Sequence, residues 1–182
     1  MTDREALASL LRERSISFGD FLLASGQRSR YYIDARKTTM SAAGQRLIGR
    51  LGLEAIRALG WMPDAVGGLT MGADPVAFAI ARASADAPPP IDAFSVRKAA
   101  KEHGTGRRIE GNFISGAAVV VIEDVITSGG SALQAVEAVQ AEGGRVLGVL
   151  AVVDRMEGGR TAIEESGLSV AVITTIHDLG IS

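Results

Sequence analysis

Val119–Ser131 is the stretch that decides the fold, and it reads Val119-Val120-Val121-Ile122-Glu123-Asp124-Val125-Ile126-Thr127-Ser128-Gly129-Gly130-Ser131. It begins inside an apolar, β-branched run, Ala117–Ile122, which predicts a strand buried on both faces. Two carboxylates end that strand, a run of glycines and hydroxyl side chains follows, and a helix is expected over residues 131–142. A buried strand, a glycine-rich turn and a helix in this order are typical of an α/β protein with a parallel sheet.

The turn after this strand has the residue types of an anion-binding loop. Glycines let the backbone approach an anion and point successive N–H groups at it, and the helix N-terminus adds a partial positive charge. Glu123 and Asp124 are suited to accept hydrogen bonds from sugar hydroxyls or to reach Mg²⁺ through water. An ordinary strand-to-helix turn with a serine cap explains the serines and glycines equally well, but not the two carboxylates. The segment matches neither of the common nucleotide-loop motifs, Gly-x-x-x-x-Gly-Lys-Ser/Thr and Gly-x-Gly-x-x-Gly.

Strand and helix patterns alternate along the rest of the chain. Helices are expected over residues 3–14, 41–59, 74–84 and 160–166. Strands are expected over residues 21–23, 31–34, 65–69, 91–96, 146–153 and 169–175. The predicted fold class is therefore α/β, with a parallel sheet covered by helices on both faces and ligands bound outside the carboxyl ends of the strands. Residues 1–40 are expected to form a separate cap, and residues 41–182 one compact core.

Composition excludes several classes of protein. The 182 residues are 47% hydrophobic and 22% charged, which indicates a globular domain rather than a disordered chain. A net charge of −2 and an aromatic content of 4% argue against a nucleic-acid surface. The absence of cysteine excludes disulfides and thiolate metal sites. No apolar run approaches membrane-spanning length, and the charged N-terminus is unlike a signal peptide, so a cytoplasmic location is expected.

The segment Val119–Ser131 resembles the signature with which type I phosphoribosyltransferases bind 5-phosphoribosyl 1-pyrophosphate (PRPP). Within that superfamily the chain is most similar to the orotate phosphoribosyltransferase family, over Phe18 to Asp154. The resemblance implies a type I phosphoribosyltransferase fold with an N-terminal hood, and transfer of the phosphoribosyl group to orotate in pyrimidine biosynthesis. It also implies that Mg²⁺ enters with PRPP. The PRPP-binding residues that it implies in this segment are Glu123, Asp124, Val125, Ile126, Thr127, Ser128, Gly129, Gly130 and Ser131.

A basic segment carries the second part of the resemblance. It reads Arg97-Lys98-Ala99-Ala100-Lys101-Glu102-His103-Gly104 and is similar to the mobile catalytic loop of the orotate family. Cationic side chains are suited to stabilise the charge that develops on departing pyrophosphate. The resemblance implies that Arg97, Lys98, Lys101 and His103 bind PRPP and that Arg97, Lys101 and His103 are catalytic. It further implies a homodimer in which the loop, residues 97–111, reaches the neighbouring active site. A solvated basic loop is the alternative interpretation.

Two further segments look like parts of the family's site, and each departs from it at one position. Thr70, Met71, Gly72 and Ala73 are similar to the pyrophosphate loop, although some members carry Lys where Met71 stands. Residues 21–34 resemble the hood, with an aromatic pair over the base, but several members carry Lys where Ala24 stands. Arg28, Arg36 and Lys37 are the candidates to replace that lysine. A purely structural turn and ordinary core aromatics are the alternative interpretations of these two segments.

The acceptor base is indicated by residues outside the phosphate loop. Arg155 follows the strand predicted over residues 146–153, where an arginine is suited to clamp a carboxylate with two hydrogen bonds. The resemblance implies that Thr127 and Arg155 bind orotate. An ordinary ion pair of Arg155 with Asp154 or Glu157 is the alternative. A phosphoribosyltransferase for a purine or uracil, a PRPP-sensing regulator and a plain PRPP-binding protein also remain open, although no helix-turn-helix extension or basic stripe favours the regulator.

Overall fold

The computed structural model describes residues 1–22, 28–99 and 108–181. The helices are α1 (Asp3–Ser15), α2 (Arg36–Thr39), α3 (Ala42–Ala58), α4 (Ala73–Ala85), α5 (Gly130–Ala141) and α6 (Gly159–Glu165). The strands are β1 (Ile16–Leu22), β2 (Arg28–Ile33), β3 (Ala65–Leu69), β4 (Asp92–Val96), β5 (Ile109–Gly111), β6 (Ala118–Ile126), β7 (Arg145–Asp154) and β8 (Val170–Thr175).

The main sheet has the strand order β5-β4-β3-β6-β7-β8. Every neighbouring pair in it is parallel except β4 with β5, which is antiparallel. The expected α/β fold with a parallel sheet flanked by helices is therefore confirmed. Edge strand β5 lies in a polar segment for which no element was expected, because a strand of three residues is too short to show a periodic pattern.

The apolar run of β6 contributes to a different core on each face of the sheet. Val120 and Ile122 pack in the core that α1, α3 and α4 cover. Val119 and Val121 pack in the core that α5 and α6 cover. All four side chains are fully buried. Successive side chains of a strand point to opposite faces, so a continuous apolar run fits a central strand with helices on both sides.

Strand β6 is longer than the sequence pattern suggested. The apolar run ends at Ile122, but the strand continues to Ile126, which pairs with Asp154 on β7. Glu123 and Asp124 therefore lie within the strand rather than at its end, which corrects the expected boundary. Strand β7 accounts for the additional length, because its hydrogen bonds keep β6 extended past the carboxylates.

The N-terminal segment has two parts. Helix α1 begins with a capping box in which the Glu5 amide donates to Thr2 Oγ1 at 3.2 Å and the Thr2 amide donates to Glu5 at 2.7 Å. Its Leu7 and Leu11 are fully buried in the core that α3 covers. Strands β1 and β2 form a separate antiparallel pair. The division of the chain at residue 40 stays a prediction.

Candidate active site

The carboxyl ends of β3, β6 and β7 meet at one edge of the sheet because these strands are neighbours. Together with the end of β2 they surround a cavity of about 620 Å³. Its lining residues come from five separate segments: Tyr32, Ile33, Asp34, Ala35, Arg36, Leu69, Thr70, Met71, Gly72, Lys98, Glu123, Asp124, Val125, Thr127, Ser131 and Arg155. A cavity of this size, outside the carboxyl ends of parallel strands, is where ligands bind in α/β proteins.

Two adjacent carboxylates form one wall of the cavity. Glu123 is 8% exposed. Burial, and next the charge of Asp124, raise the pKa of Glu123 to about 8. Burial also raises the pKa of Asp124, while the Val125 amide that donates to Asp124 Oδ1 at 2.9 Å and the more distant charge of Arg36 act in the opposite direction. A positively charged or hydrogen-bond-donating ligand beside this pair would lower both pKa values, because it stabilises the ionised forms.

The loop between β6 and α5 presents its polar groups to solvent. Thr127, Ser128 and Ser131 are exposed, and Thr127 and Ser131 line the cavity. Gly129 adopts a φ of 81°, and a Cβ built on it would lie 2.7 Å from the carbonyl oxygen of Gly159. Only glycine fits this left-handed, closely packed position. In the described chain no side chain caps α5, so its first N–H groups are available to an anion.

The remaining residues of the PRPP signature occupy different environments. The Ile126 side chain is 1% exposed and packs in the core, so its backbone is the part that belongs to the loop. Val125 is partly buried and lines the cavity. Gly130 begins α5. The sequence segment thus contains side chains that face the cavity and side chains that anchor the loop.

The loop after β3 packs directly on the acidic pair. A Cβ built on Gly72 would lie 2.7 Å from Asp124 Oδ1, so this glycine permits the close approach of the two segments. Thr70 Oγ1 donates to Asp74 Oδ2 at 2.5 Å, the Thr70–Met71 peptide bond is cis, and Ala73 begins α4. Met71 is 59% exposed and lines the cavity. The expected pyrophosphate loop therefore lies where backbone N–H groups can meet a ligand held by β6.

Arg155 also lines the cavity, and its side chain is buried. Its side chain is 7% exposed and pairs with Glu157 Oε1 at 2.7 Å. The guanidinium carbon lies 4.8 Å from the centre of the Tyr31 ring, and within the described residues the buried Nε has no hydrogen-bond partner. Asp154 Oδ1 accepts a hydrogen bond from the Met156 amide at 2.7 Å. A buried guanidinium with an unused donor is suited to bind a carboxylate.

The basic segment is described only in part. Lys98 lines the cavity, whereas Arg97 Nε pairs with Glu110 Oε1 on β5 at 2.9 Å. Arg108 donates to the carbonyl oxygen of Arg97 through Nε and Nη2, each at 3.3 Å. Lys101 and His103 lie outside the described residues. The end of the predicted loop, residues 109–111, instead forms strand β5, which pairs with β4.

Arg36 was one of three candidates to replace the lysine that is missing at position 24, and it is the candidate that lines the cavity. Its Nε pairs with Asp34 Oδ1 at 2.8 Å, and its charge acts on Asp124. Arg28 instead pairs with Asp20 on the exposed β1–β2 hairpin. Ala24 itself lies outside the described residues. Asp34, which lines the cavity beside Arg36, had no motif of its own in the sequence.

Comparisons with known proteins agree with this geometry. A family model for the phosphoribosyl transferase domain matches residues 39–167. The orotate phosphoribosyltransferase of Rhodopirellula baltica is 44% identical over 98% of this chain and 95% of its own length. The chain belongs to the orotate phosphoribosyltransferase family. Among solved structures, the Mycobacterium tuberculosis orotate phosphoribosyltransferase bound to Fe(III) dicitrate superposes with a TM-score of 0.89 at 48% identity, covering 99% of this chain and 100% of that one. The same mycobacterial enzyme in complex with PRPP superposes with a TM-score of 0.85 at 44% identity, with the same coverage.

The resemblance to the orotate family implies a magnesium ion that enters with PRPP, and the residues that could hold it lie at the cavity wall. Over the described ranges, no group of three or more histidine, cysteine, aspartate or glutamate side chains is arranged to hold a metal ion. Two carboxylates, Glu123 and Asp124, nevertheless lie side by side at the cavity wall, and oxygen donors are what Mg²⁺ prefers. Such a donor set fits an ion that keeps its waters and brings phosphate oxygens as further ligands.

Among the described segments, no helix is both long enough and apolar enough to cross a membrane. This agrees with the sequence, in which no apolar run approaches the necessary length.

Proposed function

We propose that this chain transfers the 5-phosphoribosyl group of PRPP to orotate, giving orotidine 5′-monophosphate and pyrophosphate in pyrimidine biosynthesis. The observation that carries the proposal is the composition of one cavity. A glycine-rich loop at a helix N-terminus, an acidic pair and a buried arginine with a free donor face the same space of about 620 Å³. These are the groups required by a phosphate, a ribose and an anionic base.

The 5′-phosphate binds at the N-terminus of α5. The exposed hydroxyls of Thr127, Ser128 and Ser131 and the uncapped N–H groups of the helix supply the donors. Glu123 and Asp124 accept hydrogen bonds from the ribose hydroxyls. Because Gly72 in the loop after β3 packs against Asp124 on β6, pyrophosphate and ribose are bound side by side.

Orotate binds at the wall formed by Arg155, with its carboxylate on the guanidinium and Thr127 beside it. Loss of pyrophosphate leaves positive charge on the ribose ring at the anomeric carbon, close to the carboxylates of β6. Lys98, Lys101, His103 and Arg97 neutralise the departing pyrophosphate. No enzyme nucleophile is needed, because the base itself attacks the anomeric carbon.

Magnesium is proposed to enter as a complex with PRPP. The two carboxylates of β6 would hold the ion through its waters, and the ion would neutralise pyrophosphate charge as the bond breaks. An adjacent Mg²⁺ would lower the raised pKa values of this pair, because a nearby positive charge stabilises the ionised carboxylates. Activity should therefore disappear in EDTA and return when Mg²⁺ is added in excess.

Orotate consumption tests the proposal directly. Purified protein with Mg²⁺ and PRPP should consume orotate, measured as an ultraviolet absorbance change, and should leave uracil and hypoxanthine unchanged. Lys101→Ala should lower kcat far more than it weakens PRPP binding. A folded preparation that does not turn over orotate refutes the proposal. If it turns over another base instead, that base is the acceptor rather than orotate.

The proposal includes a cytoplasmic homodimer in which residues 97–111 act in the neighbouring site. Mixing Lys101→Ala, which has a low kcat, with Arg155→Ala, which has little activity at an orotate concentration well below its KM, tests this arrangement. If the loop acts in the partner's site, each heterodimer regains one intact site, and random exchange restores about a quarter of wild-type activity. If the loop acts within its own subunit, every site in the mixture stays defective and activity does not recover. Analytical ultracentrifugation of the unmixed proteins checks that both variants are dimeric.

A further inference from the structure

We propose that Glu157 is a positioning residue that holds the guanidinium of Arg155 ready for the carboxylate of the acceptor base. The inference rests on the proposed function and adds to it a residue that does not itself touch the substrate. It begins from the contacts around Arg155. Glu157 Oε1 lies 2.7 Å from Arg155 Nη2, and Tyr31 lies under the guanidinium at 4.8 Å. The Tyr31 hydroxyl makes a long contact of 3.5 Å with the same Glu157 oxygen.

The three side chains form a closed triangle between two elements. Tyr31 belongs to β2, whereas Arg155 and Glu157 directly follow β7. Arg155 is therefore held at one edge by a carboxylate and at one face by an aromatic ring. Arg155 also lines the cavity, and among the described residues its buried Nε has no hydrogen-bond partner.

The backbone between the two charged residues is shaped for this contact. Met156 adopts a φ of 58°, a left-handed conformation that non-glycine residues rarely adopt. The Met156 amide donates to Asp154 Oδ1 at 2.7 Å, which fixes the turn. The turn brings Glu157 back onto Arg155. Unusual backbone conformations of this kind are concentrated at functional sites.

Glu157 has two opposite effects on an incoming carboxylate. Ordering a free arginine costs up to about thirtyfold in affinity, and Glu157 removes that cost by holding Arg155 before the ligand arrives. Its negative charge repels the ligand, but its side chain is 44% exposed and water screens the repulsion. Charge interactions at such exposure change affinity by no more than about fivefold, so the repulsion between Glu157 and the ligand carboxylate is limited to that factor. Positioning therefore outweighs repulsion, and loss of Glu157 should weaken orotate binding.

The test compares steady-state constants of Glu157→Ala and Glu157→Gln. Glu157→Ala should raise KM for orotate about tenfold, while kcat and KM for PRPP change less than about threefold. Glu157→Gln keeps an acceptor oxygen for Arg155 and Tyr31, so its KM for orotate should stay within about threefold of wild type. Glu164→Ala is the matched control, because Glu164 pairs with Arg160 at 2.8 Å on nearby α6, with a similarly exposed carboxylate. It should leave every constant unchanged.

A double variant separates positioning from a general structural effect. In an Arg155→Ala background, Glu157→Ala should change KM for orotate less than about twofold, because the residue acts through Arg155. Tyr31→Phe provides a second variant that removes only the hydroxyl contact and should raise KM for orotate about twofold.

Four outcomes overturn the inference. The first is an unchanged or lowered KM for orotate in Glu157→Ala, and the second is an equal rise in the KM values for orotate and PRPP in that variant. The third is a rise in KM for orotate in Glu157→Gln as large as in Glu157→Ala. The fourth is that Glu157→Ala raises KM for orotate by the same factor with and without Arg155→Ala. If wild type turns over orotate, these outcomes overturn the role of Glu157 alone. If folded wild type does not turn over orotate, the proposed function fails together with this inference.

Discussion

Replacing Glu123 by Gln should stabilise the ligand-free protein at alkaline pH. Burial, and then the neighbouring Asp124, raise the pKa of Glu123 from 4.5 to about 8. In the unfolded chain this carboxyl ionises near pH 4.5, so between pH 4.5 and about 8 the folded protein binds the additional proton. Stability therefore falls as pH rises through this window, and the full stability is present only below it.

The size of the effect follows from the same pKa difference. A change from 4.5 to about 8 corresponds to about 5 kcal/mol in rigid surroundings. Relaxation and water entry around the ionised pair reduce such penalties, so we expect about 2 kcal/mol. In a protein of this size that difference raises Tm by about 4–8 °C. Glutamine has nearly the same shape and no charge, so the gain should be present at pH 8.5 and absent near pH 4.5.

Thermal unfolding followed by circular dichroism between pH 4.5 and 9 provides the measurement. EDTA is present and substrates are omitted, so that no ligand changes the charge of the cavity. Glu164→Gln is the control, because it removes an exposed carboxylate outside the cavity. The two Tm curves of wild type and Glu123→Gln should diverge as pH rises. Parallel curves, or a variant that loses stability at pH 8.5, would refute the reasoning. The same variant should raise KM for PRPP about tenfold, because a ribose contact is lost.

Three further predictions follow from the site. Gly129→Ala should cost at least about 1 kcal/mol more in urea unfolding than Gly158→Ala, since both have a positive φ but only Gly129 lacks space for a Cβ. Equal losses would contradict this. Arg36→Met should raise KM for PRPP about five- to tenfold while Arg28→Met leaves it unchanged, because only Arg36 lines the cavity. Arg155→Ala should raise KM for orotate about 10- to 100-fold and leave KM for PRPP near wild type, and a common rise in both would argue against an acceptor subsite.

The sheet and its phosphate loop were predictable from sequence because their signals are local. An apolar run that is buried on both faces, a glycine whose φ must be positive and a hydroxyl-rich turn all lie within Val119–Ser131. The same holds for α3, where Ser41 caps the helix at 3.1 Å and Gly60 ends it with a φ of 67°. Features of this kind depend on neighbours in the chain, so no tertiary information is required to predict them.

Features that depend on contacts between distant segments were not predictable in this way. Strand β6 continues to Ile126 because β7 lies beside it, and β5 exists because β4 offers a free edge. The choice of Arg36 over Arg28 depends on where β2 ends relative to β6. The pairing of Arg155 with Glu157 rather than Asp154 depends on the turn at Met156. In each case several partners are close in sequence, and only the folded arrangement selects one.

The distribution of charge explains why the site needs several segments at once. Burial raises the pKa values of Glu123 and Asp124, and among the described residues nearby positive charge does not offset that effect. Arg36 acts on Asp124 only as a minor opposing influence, and Arg155 is already paired with Glu157. Positive charge placed closer to the pair would lower both pKa values. A cation that entered with an anionic substrate would supply such charge, which supports the proposal that PRPP binds as its magnesium complex.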